Sequence, residues 1–269
     1  MAGSSPAMTF GIDEMSSHLS PNTFKRAIVA RQKQVGFWLT LASTTATEIA
    51  AGAGFDWVLI DMEHSVNELP DVQDHLRAAG GGTAEAVVRI PWNEPVLVKR
   101  MLDIGARSLM FPYVQTAEEA RRAVAATRYP PVGIRGFAGA ARGSNYGRIK
   151  DYAQRIHDEI CVIVQVETPE ACKAIPEIAA VDGVDGVFIG PNDLAANMGF
   201  LGNMFAPEVN AAVRAGMEAI NKAGKGAGLL NFREDEARDW FAAGFSFIAV
   251  AGDASLLARQ TERIVAAFR

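Results

Sequence analysis

The chain has few cysteines and no long apolar run, and both absences exclude whole classes of protein. Its 269 residues contain two cysteines, Cys161 and Cys172, too few for the disulfide framework of a small secreted domain. With no secretion signal in the sequence, we expect both thiols to be reduced and the protein to be cytoplasmic. No apolar run reaches the ~20 residues that a membrane-spanning helix needs, so we expect no membrane partner.

A surplus of positive charge is missing as well. Lysine and arginine together number 26 against 31 aspartates and glutamates, which gives a net charge of −5. Proteins that bind nucleic acid usually present a basic patch, so we expect no nucleic-acid partner. The sequence also lacks a GxGxxG turn between a strand and a helix, which counts against a doubly wound dinucleotide-binding sheet.

What the sequence does contain is a regular alternation of short apolar segments with helical ones. The apolar segments are continuous and rich in β-branched residues, which is typical of parallel strands buried on both faces. The predicted strands are 36–42, 56–64, 85–90, 107–113, 161–166, 183–189, 226–231 and 245–252. Eight strands that alternate with helices predict an α/β protein with a parallel (β/α)8 barrel, or TIM barrel, which takes roughly 250 residues. A doubly wound sheet is the alternative.

Two segments fall outside this alternation. Residues 1–21 are rich in Ser, Met and Gly without periodicity, so we expect a flexible N-terminal extension before a single barrel domain at 22–269. The segment 128–148 is rich in glycine and arginine, a composition that could form a phosphate cradle. Because it follows a helix and precedes a strand, it should lie at the end of the barrel opposite the catalytic rim. This favours a subunit contact or an ordered structural loop.

Carboxylates follow two consecutive predicted strands. Glu167 comes directly after 161–166, and Asp193 comes soon after 183–189. In a parallel barrel the chemistry lies at the carboxyl ends of the strands. Either residue alone could simply cap the helix that follows it. Together they offer two hard oxygen ligands with open positions, which predicts a site for a divalent cation such as Mg²⁺ or Mn²⁺.

A histidine and an acidic pair end the second predicted strand. His64 lies at this strand end, whereas His75 and His157 fall on predicted helices and are expected on the surface. An imidazole titrates close to working pH, so we predict His64 as a general base, with a packed or surface histidine as the plain alternative. Strand alternation would point Glu63 and His64 in opposite directions, with His64 facing the pocket and Asp61 supporting it.

An arginine interrupts the third predicted strand. Arg89 within AVVRI needs an anionic partner, and its two-pronged fork would suit a substrate carboxylate. An internal salt bridge to Asp61 or Glu63 is the alternative. A divalent metal, an arginine fork and a histidine base together suit chemistry on a 2-oxo acid, because the metal can stabilise an enolate of pyruvate. No predicted strand ends in the lysine that a Schiff-base aldolase would use.

Long blocks of the sequence resemble a known family. The blocks are GAGFDWVLIDMEH, VRIPWNEPVLVKRMLDIGA, TRYPPVGIRG, VQVETPEA and GVDGVFIGPNDLAANMG. They resemble the class II, metal-dependent 2-oxo acid aldolases of the pyruvate-barrel superfamily, which act on 4-hydroxy-2-oxoheptanedioate or 5-keto-4-deoxyglucarate. The likeness runs in order from about Asn22 to Phe268. It implies a lyase that cleaves 4-hydroxy-2-oxo acids to pyruvate and an aldehyde with Mg²⁺, Mn²⁺ or Co²⁺. It also implies a homohexamer whose C-terminal helix is exchanged between subunits.

The resemblance also implies roles for single residues. The implied metal ligands are Glu167 and Asp193, the implied base is His64, and the implied substrate contacts are Arg89, Gln165, Asn192 and Asp193. Asp103 is implied to raise the basicity of the histidine, although its predicted position at a helix end means that only a neighbouring subunit could bring it there. Met62 and Asn192 depart from the small residues that members often have. The alternatives are a lyase for an acyl-CoA or a phosphoenolpyruvate-type substrate and a non-catalytic barrel.

Overall fold

Eight parallel strands close into a barrel in the computed structural model, which describes residues 19–269. The first strand pairs with both the second and the eighth, so the sheet has no free edge. The strands are β1 (Gln34–Leu39), β2 (Trp57–Asp61), β3 (Glu85–Arg89), β4 (Ser108–Phe111), β5 (Cys161–Val166), β6 (Gly186–Ile189), β7 (Gly226–Leu230) and β8 (Phe247–Gly252). Each overlaps a strand that the sequence predicted, and the (β/α)8 barrel is confirmed.

Helices surround this barrel and connect its strands. They are α1 (Thr23–Val29), α2 (Thr44–Gly52), α3 (Leu69–Ala79), α4 (Pro95–Asp103), α5 (Ala117–Thr127), α6 (Tyr152–Glu159), α7 (Pro169–Lys173), α8 (Ile175–Ala179), α9 (Pro191–Asn197), α10 (Pro207–Lys222), α11 (Glu234–Ala243) and α12 (Asp253–Ala266). Side chains at their starts accept otherwise unpaired backbone N–H groups, as Asn22 does for α1 and Thr116 for α5. Among residues 19–269, none of the helices combines the length and apolar character needed to cross a membrane.

Aromatic rings fill the amino-terminal end of the barrel. Phe24 on α1 lies against Trp57 and Phe247, with ring centroids 5.4 and 5.8 Å apart. Glycines on the adjoining strands make room for these rings, since a Cβ atom at Gly36 would lie 2.1 Å from Trp57 and one at Gly228 would lie 2.2 Å from Phe247. The closed end therefore supplies core packing, and the opposite, carboxyl-terminal end of the strands stays open for a site.

The two ends of the described chain relate to two predictions, the flexible N-terminal extension and the exchange of the C-terminal helix between subunits. Residues 1–18 of the predicted extension lie outside the described residues, whereas Leu19 is buried against the core. The start of α12 is held by Asp253, whose carboxylate accepts hydrogen bonds from the backbone of Thr40 at 2.9 Å and Leu41 at 3.0 Å. Apolar side chains late in α12 and just after it are exposed, including Ile264 at 50% and Phe268 at 87%. Exchange of this helix between subunits stays a prediction.

The segment 128–148 is folded against the barrel end opposite the open rim. Arg142 donates to the backbone oxygen of Ile104 at 2.7 Å. Buried Arg135 donates to Asp103 at 2.9 Å and lies over the ring of Tyr129. Its outer surface exposes large apolar side chains, namely Val132, Ile134, Phe137 and Tyr146. The segment is an ordered loop with an apolar outer face.

Candidate active site

A cleft of about 390 Å³ opens at the carboxyl ends of the strands. Its lining includes large apolar side chains, namely Trp38, Phe188, Leu230 and Phe232. It also includes polar side chains, namely Asp61, His64, Arg89, Gln165, Asn192 and Asp193. A larger cavity of about 660 Å³ lies at the opposite end, between Lys25 and Arg128, and its described lining contains none of the predicted site residues. The candidate active site is therefore the smaller cleft.

The arginine fork at the cleft is paired with an internal carboxylate. Arg89 Nε donates to Asp61 Oδ1 at 2.8 Å and Nη2 donates to Oδ2 at 2.6 Å. The two residues are register partners on β3 and β2, so their side chains emerge on the same face of the sheet. The internal salt bridge that the sequence left open is thus formed, and the fork that was predicted to hold a substrate carboxylate holds Asp61.

The remaining surroundings fix this ion pair in place. Trp38 Nε1 donates to Asp61 Oδ2 at 3.1 Å, and the Arg89 guanidinium lies 4.8 Å from the Trp38 ring centroid. Burial alone would raise the pKa of Asp61, but the hydrogen bonds and charge of Arg89 outweigh it and lower that pKa. Arg89 Nη1 lies 2.8 Å from Glu63 Oε2, which accepts no hydrogen bond from residues 19–269. Nη1 is therefore paired electrostatically with Glu63 and would share its N–H groups between this carboxylate and another acceptor.

Three carboxyl groups lie within electrostatic reach of one another. Burial raises the pKa of Glu167 to about 7, and the charges of Glu63 and Asp193 add to the shift. Burial likewise raises the pKa of Glu63 to about 7, against the opposing charge of Arg89. Nearby negative charge thus makes ionisation of Glu63 and Glu167 less favourable. A cation placed among them would relieve this repulsion.

The oxygen atoms of this region suit a hard divalent cation. Glu167 is 2% exposed; its Oε1 accepts from the Tyr113 backbone at 2.7 Å and its Oε2 accepts from Gln165 Nε2 at 2.6 Å. A carboxylate has further lone pairs for a metal. Gln165 Oε1, also buried, has no hydrogen-bond partner among residues 19–269. Glu167 lies behind Gly190 rather than on the cleft surface, since a Cβ atom at Gly190 would lie 2.6 Å from Glu167 Oε2.

Two protein carboxylates do not complete a coordination sphere. Within residues 19–269, no group of three or more His, Cys, Asp or Glu side chains is arranged to hold a metal ion. Asp193 lies in the first turn of α9, where Pro191 at the first helical position and Gly190 before it begin the helix at the cleft. Cations of the Mg²⁺ type often keep several waters and bind through one or two carboxylates. The residues present fit an ion whose other ligands are water or substrate oxygens.

His64 reaches the cleft, as the sequence predicted, but not by strand alternation. β2 ends at Asp61, so Glu63 and His64 lie on the turn that follows it. The His64 side chain is 63% exposed, and its Nε2 lies 3.9 Å from Glu63 Oε1. Glu63 points inward onto Arg89. The sequence had named Glu63 as a possible salt-bridge partner of Arg89, and this contact is formed, whereas strand alternation had pointed Glu63 away from the pocket.

Asp103 is the predicted site residue that a single chain does not bring to the cleft. It ends α4 at the opposite end of the barrel, and its Oδ1 accepts a hydrogen bond from Arg135. Its position at a helix end away from the rim agrees with the position predicted from the sequence. A contribution from a neighbouring subunit stays a prediction. His75 differs from expectation, because it is buried at 1% exposure instead of lying on the surface.

The fold and the cleft define a (β/α)8-barrel protein with its polar groups at the carboxyl-terminal rim, where enzymes of this fold have their active sites. Residues 34–259 match the family described as HpcH/HpaI aldolase/citrate lyase. The chain belongs to this family. The resemblance found in the sequence blocks is thereby confirmed.

Individual relatives agree with this assignment. The chain is 50% identical over 248 residues to the 4-hydroxy-2-oxo-heptane-1,7-dioate aldolase of Klebsiella pneumoniae, covering 92% of this chain and 94% of that protein. It is 49% identical to the protein of the same name from Shigella sonnei, with 92% and 95% covered. A crystal structure of an HpcH/HpaI aldolase/citrate lyase family protein from Burkholderia cenocepacia superposes with a TM-score of 0.89 at 41% identity, covering 92% of this chain and 99% of that one.

Proposed function

We propose that the protein is a class II aldolase, a carbon–carbon lyase that cleaves a 4-hydroxy-2-oxo acid to pyruvate and an aldehyde and also catalyses the reverse reaction. The observation that supports this most is the likeness, at 50% identity, to a protein named 4-hydroxy-2-oxo-heptane-1,7-dioate aldolase over nearly the whole of both chains. We infer 4-hydroxy-2-oxoheptanedioate or 5-keto-4-deoxyglucarate as the substrate. The polar rim supplies the residues for the chemistry.

Glu167 and Asp193 are proposed to hold a divalent cation, Mg²⁺, Mn²⁺ or Co²⁺. Their chemistry as hard oxygen donors supports this assignment, as does the Glu167 pKa, which burial and then the charges of Glu63 and Asp193 raise to about 7. When bound, the ion would supply positive charge next to the 2-oxo group, where negative charge develops as the carbon–carbon bond breaks. Gln165 and Asn192 line the cleft, and the Gln165 side chain and the backbone at Asn192 would contact the 2-oxo acid.

Arg89 is proposed to donate hydrogen bonds to the substrate through Nη1. Its Nε and Nη2 groups are held by Asp61, which fixes the direction of the guanidinium. Nη1, which Glu63 approaches at 2.8 Å, would be shared with an incoming carboxylate or enolate oxygen. A planar guanidinium held at two points loses little further freedom when the substrate arrives. In this arrangement Asp61 orients Arg89, and Arg89 stabilises negative charge.

His64 is proposed to move the proton. During cleavage it would take the proton of the C4 hydroxyl as the C3–C4 bond breaks, so that the aldehyde carbonyl forms and the bonding electron pair passes into the enolate of pyruvate. A proton added at C3 then completes pyruvate. The exposed position of His64 on the cleft supports this role, because the ring can meet a substrate without displacing packed side chains.

We also infer a homo-oligomer, a hexamer by resemblance, with α12 exchanged between subunits and Asp103 contributed across an interface. Apolar side chains exposed along and just after α12 support this arrangement, namely Leu256, Leu257, Ile264, Val265 and Phe268. The apolar outer face of 128–148 and the exposed, stacked pair of Trp92 and Tyr113 at the open rim would be covered in such an assembly. Light scattering after size-exclusion chromatography, with and without residues 256–269, tests it. The cytoplasmic location stays a prediction that cell fractionation tests.

The decisive experiment measures pyruvate release from 4-hydroxy-2-oxoheptanedioate by protein treated with EDTA and then titrated with Mn²⁺. We expect activity to disappear with chelation and to return with the metal. A panel of aldehydes offered together with pyruvate, including succinic semialdehyde, tartronate semialdehyde and glyceraldehyde, then identifies the acceptor. Full activity after EDTA would contradict the metal role, and no reaction with any substrate would contradict an aldolase.

A further inference from the structure

A buried histidine outside the cleft joins two outer helices to the turn that follows β2. His75 lies on α3 and is 1% exposed. Its Nδ1 is 2.5 Å from the hydroxyl of Thr47 on α2, and its Nε2 is 2.9 Å from Oδ1 of Asn67. Asn67 is also buried, and its Nδ2 donates to the backbone oxygen of Asp61 at 2.7 Å. These groups form one continuous hydrogen-bonded chain from α2 to the end of β2.

The hydrogen positions along this chain follow from chemistry. A backbone carbonyl can only accept, so the Asn67 amide must turn its NH2 group to Asp61 and its oxygen to His75. His75 Nε2 therefore donates. Burial lowers the pKa of His75, against the weaker opposing charges of Asp71, Asp253 and Asp74, which favours a neutral ring whose Nδ1 accepts from Thr47. The single hydroxyl hydrogen of Thr47 is assigned to this 2.5 Å contact, because its contact with the backbone oxygen of Ser43 is longer, at 3.3 Å.

The far end of this chain is the turn with Glu63 and His64. The Asp61 carbonyl that accepts from Asn67 also accepts from the hydroxyl of Ser65. The Asn67 backbone N–H donates to that hydroxyl at 3.1 Å, so the turn is closed on itself. Its shape depends on the Asn67 amide keeping its present orientation. Rotation of that amide by half a turn would place Oδ1 against the Asp61 oxygen, where two acceptors repel.

We propose that His75 is a positioning residue for the active site, which orients the Asn67 amide through its Nε2–H group and thereby holds the turn that presents Glu63 and His64 to the cleft. This inference rests on the proposed function only in that these two residues serve the aldolase reaction. Fully satisfied buried networks of this kind fix one conformation, whereas partly satisfied ones are costly. Loss of the Nε2–H donor at position 75 should therefore change the conformation of the turn that carries Glu63 and His64.

The experiment compares His75→Gln, which keeps an N–H donor at the end of a chain of similar length, with His75→Leu, which has similar size and no donor. Val72→Ala on the same helix removes buried apolar volume without touching the network and serves as the matched control. We expect kcat to fall about 10²-fold in His75→Leu, as a misplaced catalytic group does, and to stay close to wild type in His75→Gln and Val72→Ala. Hydrogen exchange of residues 62–66, followed by mass spectrometry, should speed up in His75→Leu alone.

The exchange measurement does not depend on any activity, so it separates this inference from the proposed function. A wild-type protein without aldolase activity would overturn the function while exchange of the turn still decides the role of His75. Equal exchange in His75→Gln and His75→Leu, or equal loss of kcat in both, would overturn the positioning role. If His75→Leu does not fold, His75→Asn takes its place, because an asparagine is too short to reach Asn67 and should loosen the turn in the same way.

Discussion

Replacing Glu167 with glutamine should stabilise the metal-free protein while it removes metal binding. The pKa of Glu167 is raised from 4.5 to about 7, first by burial and then by the charges of Glu63 and Asp193. Because the folded-state value lies above the unfolded-state value, ionisation opposes folding, and stability is lost as the pH rises from about 4.5 through 7. At about 1.4 kcal/mol per pKa unit, the cost at pH 8 is about 3 kcal/mol, falling to about 1 kcal/mol at pH 5.

Glutamine can occupy this position without losing a hydrogen bond. Its oxygen can accept the Tyr113 N–H group that Glu167 Oε1 accepts now. Its NH2 group would face the Gln165 Nε2 atom that now donates to Oε2. If the Gln165 amide rotates, its Oε1 can accept from that NH2 group. This Oε1 is buried and now has no partner among residues 19–269. The substitution therefore removes the charge and keeps the hydrogen bonds.

The assay is thermal unfolding of EDTA-treated protein at pH 8 and pH 5. With roughly 2–4 °C per kcal/mol for a chain of this size, we expect Tm to rise by about 6–12 °C at pH 8 and by much less at pH 5. Glu170→Gln, the same change at an exposed position on α7, should leave Tm nearly unchanged at both pH values. A Glu167→Gln variant that is no more stable than wild type at pH 8 would refute the argument. The variant should also bind no Mn²⁺ and have no lyase activity.

Three further predictions concern the same rim. Arg89→Lys keeps the charge but cannot hold Asp61 at two points, so we expect kcat/KM to fall ~10²-fold, and wild-type turnover would contradict this. His64→Ala should keep its affinity for Mn²⁺ and pyruvate while kcat falls ~10²–10⁴-fold; lost metal binding would make the histidine a ligand, and an unchanged kcat would make it a bystander. Because Glu167 must lose its proton to bind a metal, with a pKa of about 7, Mn²⁺ should bind roughly tenfold more tightly at pH 8 than at pH 6. Equal affinities would contradict the raised pKa.

The barrel and much of its rim could be predicted from the sequence because a parallel strand buried on both faces leaves a continuous apolar run. A polar residue at the end of such a run must lie at the carboxyl-terminal rim, and this rule placed His64, Gln165 and Asp193 correctly on the cleft. The rule needs no knowledge of which strands pair. It therefore works from one strand at a time.

Features that depend on pairing or on a turn could not be obtained in this way. Arg89 pairs with Asp61 because the two residues are register partners on β3 and β2. The register of two parallel strands cannot be predicted from the sequence of either strand alone. The direction of the Glu63 side chain could not be predicted, because strand periodicity ends at Asp61 and Glu63 lies on the turn that follows. His75 was expected on the surface because its helix position gave no sign of Asn67, a buried polar partner that arrives from a loop.

The amino-terminal end of the barrel contributes mainly to stability, and the carboxyl-terminal end contains the candidate active site. At the closed end, Phe24, Trp57 and Phe247 bury large rings, and such packing contributes favourable free energy at any pH. At the open end, burial of Glu63 and Glu167 raises both pKa values to about 7, so ionisation of each opposes folding near neutral pH. A divalent ion bound by ionised carboxylates would offset this cost, because a ligand that binds only the folded state stabilises it. The unfavourable charges at the rim would then favour binding of a divalent ion, and substitutions that relieve them should trade activity for stability.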